Sequence, residues 1–118
     1  MDLETVIVSV KKLLAPEKKY YLSNSNIHGT GTFSTQNIQA GEKIEVGIDY
    51  DDVMKIFPFV TDYFGKWINH SWKPNSHLEY IDNKYYAVAS VPISKDSEIT
   101  MNYNDTPWYI CPPNPNWN

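Results

Sequence analysis

From Tyr20 onward, apolar positions come in short alternating runs broken by turn residues, a pattern of brief strands rather than long helices. Tyr20–Leu22 and Thr32–Ser34 flank a loop with two glycines, and Ala40-Gly41-Glu42 is a turn leading into a strand over Lys43–Ile48. Leu78–Ile81 and Tyr85–Ala89 read as the arms of a hairpin. Its turn, Asp82-Asn83, uses residue types that tolerate left-handed backbone. Ile99, Met101 and Tyr103 alternate with Thr100 and Asn102, which predicts a last strand. Only two segments suggest helix. In the first sixteen residues, Asp2 and Glu4 suit a start, Val6, Val10 and Leu13-Leu14 recur at helical spacing, and Pro16 stops the run. The β-branched Val6-Ile7-Val8 leaves a strand open there as well. Asp49–Asp52 can cap a second, shorter piece with Val53, Ile56 and Phe57 on one face, ending near Pro58. Thr106–Asn118, with four prolines and two tryptophans, reads as irregular. The expected class is mainly β with little helix.

Composition narrows the picture without naming a chemistry. A chain of 118 residues with 42% hydrophobic content suits one folded domain. The net charge of −4 argues against direct nucleic-acid binding, which needs a basic face, and suits a basic peptide partner. Cys111 is the single cysteine, so neither an internal disulfide nor a cysteine-built zinc site is expected. No apolar run approaches the ~20 residues that span a bilayer, and the N-terminus lacks a secretory pattern. No membrane association and an intracellular location are the expectations.

Three segments carry candidate chemistry. Asn69-His70-Ser71-Trp72-Lys73-Pro74-Asn75 joins an amide that can donate and accept to an imidazole, and then to a Pro-Asn turn signal. Read alone, the Asn-His pair is a loop feature. Glu98-Ile99-Thr100-Met101-Asn102-Tyr103 is a strand-like run with an acid at its start and a tyrosine at its end. Read alone, Tyr103 is an inward tyrosine on a core strand. Gly29-Thr30-Gly31 lacks the third glycine and the following helix of a dinucleotide fingerprint, though glycines there permit close backbone approach.

In order and spacing these segments, with the Ile38-Gln39-Ala40-Gly41-Glu42 turn, resemble the SET domain of protein lysine methyltransferases. The likeness runs from about Tyr20 to Tyr109, and the compact form resembles the minimal SET proteins of large viruses and some microbes. It implies a β-clip-like fold of short sheets with a C-terminal knot-like crossing. The implied organisation is an N-terminal flank over 1–18, a SET domain over 19–104 and a short zinc-free tail over 105–118. The implied activity is S-adenosylmethionine-dependent methylation of lysine in a protein, such as a histone tail, without a metal. Gly29, Thr30, Gly31, Asn69, His70 and Trp108 would contact the cofactor. Tyr103 would be catalytic, and Tyr103, Trp108 and Tyr109 would line the lysine channel. Glu98 would anchor structure.

The chain departs from the family pattern in places. Trp72 stands where the family has cysteine, Asn104 where glycine follows the tyrosine, and Asp96-Ser97 where Gly-Glu precedes the strand. The insert that helps select substrate is cut to roughly 47–64. These departures leave a catalytically silent SET domain that binds peptide as the alternative, with an unrelated small β-barrel or β-clip binding domain behind it. Many aromatics in a small chain also make a homodimer an expectation.

Overall fold

The computed structural model describes residues 18–50 and 58–106. The N-terminal helix reading, the apolar face of the 49–57 helix reading, and Trp108 and Tyr109 lie outside the described residues. Eight strands form three small sheets: β1 (Tyr20–Asn24), β2 (Thr30–Ser34), β3 (Lys43–Tyr50), β4 (Pro58–Val60), β5 (Asn69–His70), β6 (Ser76–Ile81), β7 (Lys84–Ala89) and β8 (Thr100–Met101). Single 3-10 turns at Gly65–Trp67 and Tyr103–Asp105 supply the helical content among the described residues. The protein is mainly β. Among the described residues no helix is long and apolar enough to cross a membrane.

The largest sheet has the order β4-β3-β7-β6, all antiparallel. Its β6–β7 hairpin turns at Asp82 and Asn83, whose φ angles of 50° and 67° make the two-residue turn that these residue types favour. β1 and β2 form a second antiparallel ribbon, with Tyr20 opposite Ser34 and Asn24 opposite Thr30. β5 and β8 form a parallel pair, Asn69 opposite Thr100 and His70 opposite Met101. The chain between them crosses over through the β6–β7 hairpin, as parallel pairing requires a long connection.

Two expectations about local structure are corrected. Asp49 and Tyr50 do not cap a helix: they continue β3 and pair with Phe59 and Pro58 of β4. The capping tendency of Asp49 is overridden by this pairing and by Lys84, whose ammonium lies 3.7 Å from its carboxylate. The last strand is also shorter than its alternation suggests, and Tyr103 begins a 3-10 turn instead of ending a strand. Ile99, Thr100 and Met101 are all buried, because this run is flanked on both sides. The Ile99 N–H donates to the Thr32 carbonyl on one side, while β8 pairs with β5 on the other.

The core gathers Tyr20, Ile38, Ile44, Phe64, Ile68, Ala87, Ala89, Ile93, Ile99 and Met101, drawn from all three sheets. Phe64 is fully buried, and the Tyr20 ring meets it edge-on at 4.8 Å. Burial of side chains this size contributes about 1.5–3 kcal/mol each. This core fixes the β5–β8 pair between the ribbon and the large sheet, and the candidate site forms around that pair.

Candidate functional site

The loop between β1 and β2 is built around Ser25. Its Oγ accepts the Ile27 and His28 N–H groups, at 2.9 and 3.3 Å, a local turn that serine favours. The same hydroxyl lies 2.8 and 2.9 Å from the two carboxylate oxygens of Glu98. Glu98 is brought there by its bridge to Phe33 of β2. A Cβ on Gly31 would lie 2.5 Å from Glu98 Oε2 and 3.0 Å from Ser25 Cβ, so a side chain there would push the carboxylate from its place.

Asn69 reaches the same loop from β5. Its Nδ2 lies 2.9 Å from Glu98 Oε2, 3.0 Å from Ser25 Oγ, 3.0 Å from the His28 carbonyl and 3.4 Å from the Thr30 carbonyl. Four oxygens thus converge where the amide has two hydrogens to give. The place is rich in acceptors and suits an ammonium or another multiple donor. Asn75, expected only as a turn residue, clamps the strand behind it. Its Nδ2 donates to the Glu98 carbonyl at 2.8 Å, and its Oδ1 accepts the Thr100 N–H at 2.8 Å.

Successive strand residues point to opposite faces, and His70 accordingly turns inward, 4% exposed. Its Nδ1 accepts the Tyr103 N–H at 3.1 Å. Its ring lies 4.3 Å from Trp72, edge-on, and 5.2 Å from Tyr103. Burial pushes the imidazole pKa below its ordinary 6.5, so the ring is neutral at pH 7. With Nδ1 accepting, the ring hydrogen belongs on Nε2.

The Tyr103 hydroxyl donates to the Ile68 carbonyl at 2.6 Å, and burial raises its pKa above 10. Tyr103 and Ile68 line a cavity of about 220 Å³ together with Gly47, Val60, Gly65, Leu78, Met101 and Thr106. The walls are mainly apolar, with Lys66 as the charged lining residue. Gly65 packs so closely on the Gly47 carbonyl that a side-chain carbon has no room there. Among the described residues no three His, Cys, Asp or Glu side chains converge as metal ligands.

Gly29, Thr30, Gly31, Asn69 and Glu98 therefore come together at one acceptor-rich loop, and Tyr103, with His70 packed against it, stands at the adjoining cavity. The two places are joined through the neighbours Ile68 and Asn69. The sequence reading did not anticipate Ser25, Asn75 or the Ile68 carbonyl. Ser25 and Asn75 carry local turn signals, but their contacts with residues 98–100 are tertiary.

A family model described as the SET domain matches residues 50–104. The crystal structure of a Plasmodium falciparum protein proposed to be a histone methyltransferase is similar, with a TM-score of 0.61 and 26% identity over 78% of this chain and 98% of that one. A humanized mutant of Chaetomium thermophilum Polycomb Repressive Complex 2, bound to the inhibitor GSK126, matches with a TM-score of 0.56 and 17% identity. That match covers 89% of this chain but 18% of the other, and it speaks to the fold alone. No curated protein matches the sequence. The chain is thus similar to SET-domain proteins in sequence over residues 50–104 and in fold over most of its length.

Proposed function

We propose that the protein is an S-adenosylmethionine-dependent protein lysine methyltransferase. One observation carries the proposal. The Tyr103 hydroxyl, held by the Ile68 carbonyl, stands at the wall of an apolar cavity one residue from the Asn69 amide and its acceptor-rich loop. The SET-domain match over residues 50–104 and the similarity to the Plasmodium protein support a lysine methyltransferase-like role.

S-adenosylmethionine, when bound, supplies an electrophilic methyl group on a sulfonium. The residues present fit such a cofactor. The oxygens around Asn69 suit its ammonium, and Gly29, Thr30 and Gly31 offer backbone that a bulky molecule can approach. The backbone of His70 continues this wall, and Trp108 is proposed to complete it. The cavity suits the methylene stem of a lysine side chain, with Tyr103 and the proposed channel residues Trp108 and Tyr109 around its end.

Attack on a methyl group requires a neutral amine. For a lysine of pKa near 10.4, neutralisation at pH 7.4 costs about 4 kcal/mol. The cavity's apolar walls disfavour the ammonium form and so reduce that cost, and Lys66 on the lining acts in the same direction by repulsion. Tyr103 is no general base, since its raised pKa keeps the phenol protonated. Its proton is directed at Ile68, and in the proposed complex its oxygen would accept from and orient the amine. The proposed substrates are lysine-containing proteins, with a basic histone-type tail favoured by the net charge of −4.

The test is transfer of isotope-labelled methyl from S-adenosylmethionine to a set of lysine-containing histone peptides. The proposal expects incorporation by the wild-type chain and its loss in Tyr103→Phe. A folded wild-type protein that binds these peptides and transfers nothing would make it a silent binding module.

A further inference from the structure

Tyr103 is fixed at both ends by one short stretch of chain. Its hydroxyl donates to the Ile68 carbonyl at 2.6 Å, and its backbone N–H donates to His70 Nδ1 at 3.1 Å. These holders sit on either side of Asn69, whose own side chain ties down the loop of Gly29–Gly31. The run 68–70 therefore sets the acceptor-rich loop and the tyrosine relative to each other. At its other end, the Tyr103 carbonyl accepts the Thr106 hydroxyl at 2.5 Å, which closes the 3-10 turn.

We propose that the His70 side chain is a positioning residue for Tyr103, its Nδ1 holding the N–H at which the final turn begins and so setting where the hydroxyl stands. The inference rests on the proposed role of Tyr103 in methyl transfer. It separates two functions within His70: backbone beside the cofactor loop, and an inward imidazole that acts through another residue. The imidazole suits this task because it is neutral. A protonated Nδ1 would turn its own N–H toward the N–H of Tyr103 and lose the contact. Burial at 4% exposure keeps water from replacing that acceptor. Trp72 and Tyr103 pack on the ring and fix its plane.

The experiment uses the full chain with three substitutions. In His70→Asn the side-chain oxygen takes about the place of Nδ1, so an acceptor remains. In His70→Gln the oxygen falls nearer the place of Nε2, and in His70→Leu no acceptor remains. Each variant is measured for hydrogen exchange at the Tyr103 amide, calorimetric affinity for S-adenosylmethionine, and kcat at saturating cofactor and histone peptide.

The expected result is loss of Tyr103 amide protection in the Leu and Gln variants, with kcat down about tenfold or more. The Asn variant should recover most of both, and cofactor affinity should move by less than about threefold throughout. Two outcomes overturn the proposal. One is equal behaviour of the Asn and Gln variants, which decides the matter even if the Leu variant does not fold. The other is a matching loss of cofactor affinity in every variant, which would make the imidazole a cofactor ligand. A wild-type chain without methyl transfer would sink the functional reading alone. The amide exchange of the Asn and Gln variants would still decide whether His70 holds Tyr103.

Discussion

The side-chain amide of Asn69 stands 2.9 Å from the Glu98 carboxylate, and Gly31 backs onto the same carboxylate. Three segments far apart in the sequence thus meet at one charged group. Glu98 accepts from Ser25 and Asn69, so it holds the loop of Gly29–Gly31 at a fixed height above β5.

This arrangement makes Gly31→Ala informative. The added methyl would displace Glu98 from Ser25 and Asn69, whose hydrogen bonds to the charged group are each worth roughly 1.5–3 kcal/mol. Denaturant unfolding should show a loss of about 1–3 kcal/mol. Replacing Glu98 by Ala in the same chain should make the two effects clearly non-additive, because the obstructing carboxylate is gone.

Asn75→Ala tests the clamp behind the site. The substitution leaves the Glu98 carbonyl and the Thr100 N–H without the side chain that joins them. Thr100 is buried, so a cost of about 1–3 kcal/mol is expected for each group left unsatisfied. Amide exchange should quicken at Thr100 and leave the Asp82-Asn83 hairpin unchanged.

Tyr103→Phe removes the hydroxyl while keeping the ring against His70. Stability should fall by only about 0.5–1.5 kcal/mol, the net worth of one hydrogen bond. Turnover on a histone peptide should fall on the order of 10²-fold or more, with cofactor affinity retained. Calorimetry and single-turnover kinetics together check this split.

The buried His70 predicts a pH dependence of stability with a definite sign. Its folded-state pKa lies below the ordinary 6.5, so the unfolded chain takes up a proton first as pH falls. Stability is then full above about pH 6.5 and declines below it until His70 also protonates in the folded state. His70→Asn should remove this part of the slope. A separate decline belongs to Glu42, whose carboxyl pKa is lowered below 4.5 by the hydrogen bond from Lys19 and then by the Gln39 N–H. Its contribution is lost only as pH falls through that more acid range.

Local signals explain what the sequence made legible. The Asp82-Asn83 turn and the strand starting at Lys43 follow from residue types that act on their own backbone. The resemblance set the segments of Asn69, Gly31 and Glu98 in one known order, but their meeting at the Glu98 carboxylate rests on tertiary contacts that no local signal carries. Asp49 misled because an aspartate ahead of further acids reads as a helix cap, while the strand pairing of Asp49 and Tyr50 depends on residues Pro58–Val60. Ile99–Met101 misled in another way. Alternation assumes one solvent face, and this run has β2 on one side and β5 on the other. Ser25 and Asn75 carried turn signals that say nothing of partners more than twenty residues away.

The most direct measurement is calorimetric titration of the purified chain with S-adenosylmethionine, beside the Asn69→Ala variant. The account predicts saturable micromolar binding by the wild type and its loss in the variant, with thermal stabilisation of the wild type alone. A folded wild-type protein that gives no heat and no stabilisation, with or without a histone peptide, would contradict it.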